Sequence, residues 1–162
     1  MWTDEEAQVL SEAELQAVES IARRYENPRG ASIEALREVQ RTRGWISDEA
    51  LCDIARVLGL SPDELDGVAT FYNLIFRRPV GRSVILLCDS VSCWIMGCAA
   101  LREKLESDLG VKLGETTPDG RFTLLPSVCL GSCDHAPAMM VGENLFGDLD
   151  PDELETILYW YE

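Results

Sequence analysis

The sequence is short of positive charge. Lys and Arg together number 14 against 29 Asp and Glu, which gives a formal net charge of −15. Proteins that bind nucleic acid neutralise phosphates with a basic surface, so this composition argues against a nucleic-acid partner. A Gly-x-Gly-x-x-Gly run is also missing from the sequence, and we therefore expect no dinucleotide site in this chain.

Long hydrophobic runs are missing as well. No apolar stretch approaches the roughly 20 residues of a membrane-spanning helix, and the acidic start at residues 1–6 lacks the basic and apolar regions of a signal peptide. These absences predict a soluble cytoplasmic protein without direct membrane insertion. Thiols stay reduced in that compartment, so close pairs of cysteines are expected to bind metal rather than to form disulfides.

Four of the six cysteines form two close pairs, Cys88 with Cys93 and Cys129 with Cys133. Each pair follows an apolar run typical of a buried strand, so a fold that brings the pairs together creates one site with four thiolates. Three uses of such a site are common inside cells: a redox dithiol, a structural zinc and an iron–sulfur cluster.

The spacing within each pair bears on this choice. Redox dithiols of the thioredoxin type use Cys-x-x-Cys, and neither pair has two intervening residues. Zinc accepts four cysteines at such spacings, and a [2Fe–2S] cluster needs two for each iron. The four-residue interval between Cys88 and Cys93 resembles the first pair of plant-type ferredoxins, which favours the cluster without excluding zinc. Small residues inside the pairs, such as Ser90 and Gly131, let backbone N–H groups approach sulfur closely.

The other thiols and the single histidine are assigned to different roles. Cys98 shares a helical face with Leu101 and Leu105, so we expect Cys98 to be buried in the core. Cys52 lies in another predicted helix, and we expect it to be a packing residue as well. A Rieske-type cluster needs two histidine ligands, and His135 is the only histidine. We expect His135 to be a loop residue rather than a ligand.

Residues 1–79 are predicted to form a small helical bundle. Serine caps mark the helix starts, and glycine or Asn-Pro marks the stops. The predicted helices run from Ser11 to a stop at Asn27-Pro28 and Gly30, from Ser32 to Gly44, from Ser47 to Gly59, and from Ser61-Pro62 onward. In the aromatic segment that follows, Phe71, Tyr72 and Phe76 are expected to pack the bundle against the next domain. We place the domain boundary near Pro79.

Residues 80–162 alternate between strand and helix signals. The predicted order is a strand at 84–87, a helix at 95–109, a turn at 118–120, a strand at 122–125 that continues irregularly to 128, a hairpin of 138–141 with 145–146, and a helix from 150 onward. This order predicts an α+β protein whose second domain is a small mixed sheet covered by helices. Both cysteine pairs follow strands, so they meet at one edge of the sheet if those strands are parallel.

Three segments carry a resemblance to a known family. They are residues 69–76 (Ala-Thr-Phe-Tyr-Asn-Leu-Ile-Phe), residues 88–93 (Cys-Asp-Ser-Val-Ser-Cys) and residues 124–133 (Leu-Leu-Pro-Ser-Val-Cys-Leu-Gly-Ser-Cys), followed by Ala-Pro at 136–137. They resemble the thioredoxin-like [2Fe–2S] ferredoxins of respiratory complex I, the NADH:quinone oxidoreductase, which are the E subunit in bacteria and the 24 kDa subunit in mitochondria. The resemblance covers nearly the whole chain.

The resemblance implies a fold and a ligand set. Residues 1–79 would be the N-terminal helical bundle, and residues 80–162 a thioredoxin-like [2Fe–2S] ferredoxin domain without the redox dithiol. Within that domain, the resemblance implies that one [2Fe–2S] cluster is ligated by four residues: Cys88, Cys93, Cys129 and Cys133.

The resemblance also implies partners and a role. Members dock on the FMN- and NADH-binding subunit, beside other subunits of the peripheral arm, on the cytoplasmic face of the inner membrane. Hydride chemistry occurs at FMN in that partner, so this chain would have no catalytic site of its own and would accept or store an electron. Related subunits of NAD-linked hydrogenases and formate dehydrogenases stay as alternatives. A structural zinc-binding interaction module and, less favoured by the spacing, a thiol–disulfide enzyme are the rivals from other classes.

Overall fold

The computed structural model describes residues 9–161, and the acidic start at residues 1–6 lies outside them. The chain forms two compact units, which meet in the sequence between Pro79 and Val80. Each unit has its own buried hydrophobic core. Among residues 9–161, none of the helices is long and apolar enough to cross a membrane.

The first unit is a bundle of four helices. They are α1 (Glu12–Ala22), α2 (Pro28–Arg43), α3 (Asp48–Leu58) and α4 (Pro62–Phe71). The core is made of fully buried aliphatic side chains, among them Val18, Leu36, Ile46, Ile54 and Leu65. As predicted, the serines at positions 11, 47 and 61 accept N–H groups at the starts of α1, α3 and α4, and the glycines at positions 44 and 59 end α2 and α3.

The predicted boundary between the first two helices is wrong. α1 ends at Ala22, and Asn27 with Pro28 begins α2 instead of closing α1. The side chain of Asn27 accepts the N–H of Arg29 at 3.0 Å, and a proline at the first helical position loses no intrahelical bond. Ser32, expected to be a cap, lies inside α2, and its buried hydroxyl has no hydrogen-bond partner among the described residues.

The aromatic segment after α4 is held by a side chain of the bundle. Gln40 donates to a carbonyl of this segment at 2.8 Å and accepts the N–H of Phe76 at 2.6 Å. Phe71 is nevertheless 80% exposed and meets Tyr72 edge to face. Phe71 lies on the face of α4 opposite the buried Ala69 and therefore outside the core of the bundle. The packing of this aromatic segment against the next domain stays a prediction.

The second unit is a four-stranded mixed sheet with helices. The strands β1 (Ser83–Cys88), β2 (Phe122–Ser127), β3 (Met139–Val141) and β4 (Asn144–Phe146) lie in the order β2-β1-β3-β4. β1 and β2 are parallel, and β3 is antiparallel to β1 and to β4. The helices are α5 (Val91–Ile95), α6 (Cys98–Leu109) and α7 (Leu154–Tyr159). The predicted α+β class, the mixed sheet and the hairpin of β3 with β4 are confirmed.

The helix predicted over residues 95–109 is interrupted. α5 ends at Ile95 and α6 begins at Cys98, with Gly97 between them in a left-handed conformation at φ 98°. Glycine adopts this φ without a steric penalty, which permits the break. Since α5 already begins at Val91, Cys93 lies inside a short helix rather than ahead of one.

The parallel pair of strands positions the cysteines. β1 and β2 are neighbours in the sheet, and their register places Cys88 opposite Ser127. Because both strands run in the same direction, the loops that follow them leave the sheet at the same end. The prediction that both cysteine pairs lie at the carboxyl ends of parallel strands is confirmed.

Candidate metal centre

The two cysteine pairs differ in burial. Cys88 is the last residue of β1 and Cys93 lies in α5, and they are 2% and 1% exposed. Cys129 follows β2, Cys133 begins a short 3-10 turn, and both are exposed. The Sγ atoms of Cys129 and Cys133 are 3.8 Å apart. One pair therefore lies inside the unit and the other lies at its surface.

Several groups stabilise negative charge on the sulfur of Cys88. Its Sγ lies 3.4 Å from Ser90 Oγ. Burial is the largest single influence and raises the pKa of Cys88. The hydrogen bond with the Ser90 side chain, those from the N–H groups of Ser90 and Leu130, and the contact with Cys93 outweigh it, so this pKa lies below its usual value. Leu130 belongs to the loop between Cys129 and Cys133, and its bond to Cys88 therefore joins the two cysteine loops.

The remaining thiols of the site have different surroundings. Burial, followed by the contact with Cys88, raises the pKa of Cys93. In the exposed pair, the hydrogen bond with Cys129 is the main cause that raises the pKa of Cys133. The N–H of Gly131 donates to Cys129 Sγ at 3.3 Å. Gly131 has a φ of 80°, and this left-handed conformation turns its N–H toward the sulfur.

The turn that carries Cys133 is fixed by a second loop. Nδ1 of His135 and Oδ2 of Asp148 are 2.6 Å apart, and this bond is the main cause that raises the pKa of His135. The N–H of Asp148 donates to the carbonyl of His135 at 2.7 Å. Gly147 is needed at this contact, because a Cβ there would lie only 2.6 Å from Cβ of His135. His135 is a hydrogen-bonded loop residue, as predicted.

The two cysteines outside the pairs lie in different units. Cys98 is 5% exposed and belongs to a small buried cluster with Cys88, Cys93, Ala136 and Ala138. Its burial is as predicted, but it packs beside the candidate ligands rather than within the main core. Cys52 is half-buried in α3 of the first unit.

The arrangement of donors fits a binuclear cluster. Tetrahedral zinc needs all four sulfurs at about 2.3 Å from one point. A [2Fe–2S] cluster instead takes two cysteines on each iron, which is what two separate pairs supply.

An exposed apolar surface lies beside the cysteines, and the sequence analysis did not identify it. Val91, Trp94, Ile95 and Met96 are each at least 60% exposed, and Val128, next to Cys129, is 83% exposed. We call these five residues the α5 patch. Its signal in the sequence is the run Val-Ser-Cys-Trp-Ile-Met at 91–96, which contains no charged residue that could face solvent.

Comparison with known proteins identifies close relatives. A family model for the thioredoxin-like [2Fe–2S] ferredoxins matches residues 18–162. The E subunit of NADH-quinone oxidoreductase from Escherichia coli is 51% identical over 157 residues, which cover 97% of this chain and 95% of that protein. The corresponding protein of Pseudomonas aeruginosa is 50% identical over 153 residues, covering 94% of this chain and 92% of that protein.

A solved structure shares the fold. The NAD+-reducing [NiFe]-hydrogenase in the H2-reduced state matches 78% of this chain with a TM-score of 0.67 and 26% identity, and this chain spans 22% of that hydrogenase chain. The thioredoxin-like fold and the resemblance stated from the sequence are thus confirmed, and they imply one [2Fe–2S] cluster. With a family match over most of its length, the chain belongs to the thioredoxin-like [2Fe–2S] ferredoxin family.

Proposed function

We propose that this chain is the electron-transfer subunit of an NADH-quinone oxidoreductase and holds one [2Fe–2S] cluster on Cys88, Cys93, Cys129 and Cys133. The placement of the two cysteine pairs at the carboxyl ends of the parallel strands β1 and β2 carries the proposal. The identity of about half its residues with the two bacterial NADH-quinone oxidoreductase subunits supports it. Residues 80–162 form the cluster-binding domain, and residues 1–79 form a separate helical domain.

The chain's own residues hold and shield the cluster, which supplies one-electron redox chemistry when bound. Burial of Cys88 and Cys93 keeps water away from one side of the site. The N–H groups of Leu130 and Gly131 donate to ligand sulfurs. Burial and such hydrogen bonds determine the reduction potential. Hydride chemistry belongs to FMN in a partner, so this chain has no catalytic residue of its own.

The partner is the FMN- and NADH-binding subunit, and the α5 patch is the surface that meets it. The patch adjoins Cys129 and Cys133, the two exposed candidate ligands, so a partner seated there approaches the cluster closely. Large exposed apolar residues in one patch mark interaction sites. Exposed carboxylates at Asp89, Asp134 and Asp148 flank the cysteines, which suits a partner surface with an apolar centre and a basic rim. The complex places both subunits in its peripheral arm, on the cytoplasmic face of the inner membrane.

A second candidate is the equivalent subunit of an NAD-linked hydrogenase. The TM-score of 0.67 to the NAD+-reducing hydrogenase favours it. The identity is 26% in that comparison, against 51% over nearly the full length of the Escherichia coli protein. The quinone reductase is therefore the better supported assignment.

Anaerobic purification tests the cluster and its ligands. We expect dithionite to bleach visible charge-transfer bands and to produce a rhombic spin-half EPR signal, with about two irons and two sulfides per chain. A serine at any cysteine of the two pairs should abolish or alter that signal. Cys52→Ser is the control and should leave it unchanged, because Cys52 belongs to neither pair and lies in α3 of the first unit. A colourless wild-type protein that holds one zinc and no sulfide would contradict the proposal.

Co-purification with the FMN-binding subunit tests the docking surface. Trp94→Ala should weaken the complex by about tenfold or more, since buried tryptophans dominate interface energetics. Trp160→Ala is the matched control. Trp160 is 81% exposed and Trp94 is 65% exposed, but Trp160 follows α7 and lies outside the patch. Equal affinity of the two variants would place the docking surface elsewhere.

A further inference from the structure

Ser90 stands at a helix start but does not cap the helix. It occupies the N-cap position of α5, with the extended backbone (φ −79°, ψ 164°) of a capping serine. The serines at positions 11, 47 and 61 each accept an N–H of their own helix. Within the described residues, the Ser90 hydroxyl makes no such bond. Its partner is Cys88, whose Sγ lies 3.4 Å from Ser90 Oγ.

The protonation state of Cys88 decides which group donates in this contact. A Cys88 thiol donates to Ser90 Oγ, as the structure shows. A cysteine that ligates a metal is a thiolate and has no proton to donate, so the Ser90 hydroxyl becomes the donor. Hydrogen bonds to a charged acceptor are stronger than neutral ones, and the burial of Cys88 strengthens this one further.

We propose that the Ser90 hydroxyl donates to the Cys88 thiolate and raises the reduction potential of the cluster, a role that rests on the proposed function. One-electron reduction adds negative charge to a site that already carries four thiolates. A donor that points at a ligand sulfur stabilises this additional charge and so favours the reduced form. Ser90 acts through Cys88 and is therefore a positioning residue.

The same contact already affects the buried thiols. Burial raises the pKa of Cys88, yet the bonds led by the Ser90 hydroxyl leave that pKa lowered. The Ser90 hydroxyl also acts to lower the pKa of Cys93, where burial and Cys88 outweigh it. The Ser90 hydroxyl, itself half-buried, therefore lies beside the buried pair of candidate ligands.

Redox titration of the purified holoprotein, followed by EPR and visible absorption, tests the role. Ser90→Ala should shift the midpoint potential to a more negative value, and Ser90→Thr, which keeps the hydroxyl, should restore it. Ser47→Ala is the matched control, because Ser47 does cap a helix. It should lower the melting temperature and leave the potential unchanged, whereas Ser90→Ala should change the potential with little effect on melting.

A Ser90→Ala protein with the wild-type potential would overturn the inference. If the alanine variant does not retain the cluster, Ser90→Gly replaces it and should also shift the potential downward. Loss of the cluster in both variants but not in Ser90→Thr would show that the hydroxyl serves assembly, and would overturn its assignment to the potential. Wild-type protein that lacks iron and sulfide would reject the proposed function instead, and the assay thus distinguishes the two failures.

Discussion

Replacing Glu14 by Gln is expected to lower the free energy of unfolding at neutral pH by about 2 kcal/mol. Glu14 accepts the N–H of Ser11 at 2.8 Å within the capping box of α1. Its two carboxylate oxygens also accept hydrogen bonds from Nε and Nη2 of Arg43, at 2.6 and 2.7 Å. Arg43 donates further to the carbonyl of Val9 at 2.7 Å. One carboxylate thereby connects α1, the end of α2 and the segment before α1.

The magnitude and its pH dependence follow from the pKa of Glu14. The hydrogen bond from Arg43 is the largest cause that lowers this pKa from 4.5 to about 2. At about 1.4 kcal/mol per pKa unit, this lowering of the pKa corresponds to a stabilisation of the folded state by about 3 kcal/mol. Solvent screening reduces that stabilisation to about 2 kcal/mol. The folded pKa lies below the unfolded one. The stabilisation is therefore present above about pH 5 and is lost as the pH falls through about 2.

Urea denaturation of the full chain at pH values between 7 and 2 measures this contribution to the free energy of unfolding. Amide hydrogen exchange of the full chain, resolved to α1 and α2, shows whether the loss of stability lies in the first unit. Glu19→Gln is the matched control. Glu19 pairs with Arg23 on the same helix, but their side chains are 51% and 79% exposed, and such pairs contribute little. Equal losses in the two variants, or a loss in Glu14→Gln that persists at pH 2, would refute the reasoning.

Three other substitutions probe buried groups and glycines. Asp53→Ala should lower the free energy of unfolding by about 3 kcal/mol in urea titrations, because this 3% exposed carboxylate accepts two backbone N–H groups at 2.7 and 3.0 Å. Gly147→Ala should reduce the iron bound per chain, since its Cβ would lie 2.6 Å from Cβ of His135. Gly67→Ala is the control and should leave the iron content unchanged, because a Cβ at Gly67 meets no atom within 4 Å among the described residues. Gly97→Ala should lower the calorimetric melting temperature, at a cost of about 1 kcal/mol for its φ of 98°.

Helix boundaries are predictable from the sequence where one local interaction decides them. The serines at 11, 47 and 61 and the glycines at 44 and 59 act through groups within a few residues, and the structure agrees with each of these five. Ser32 is the exception, since α2 begins ahead of it. Asn27-Pro28 is ambiguous, because the same dipeptide can follow one helix or begin the next. Its role depends on where α1 ends, and α1 stops five residues earlier, at Ala22. Gly97 is ambiguous in the same way, since a helix tolerates an isolated glycine unless the backbone needs a positive φ.

The candidate site likewise has features that the sequence predicts and features that it does not. Its position follows from the order of elements, because two strands joined through a helix are parallel and their following loops meet. The burial of Cys88 and Cys93 and the exposure of Cys129 and Cys133 do not follow, because they depend on how α5 covers the site. The spacing predicts which cysteines come together. It does not predict that one pair faces solvent.

The structure of α5 predicts that the reduction potential and the binding of the partner can be changed separately. This short helix carries the buried Cys93 on one side and the exposed Trp94 and Ile95 on the other, while Ser90 at its start contacts Cys88. The contact of Ser90 with Cys88 therefore acts on the potential, and the exposed Trp94 and Ile95 meet a partner. Trp94→Ala should weaken binding of the FMN-binding subunit without changing the midpoint potential, and Ser90→Ala should do the reverse. A potential that changes in Trp94→Ala before any partner is added would mean that the two sides are coupled through α5, and that the patch belongs to the cluster site rather than to docking alone.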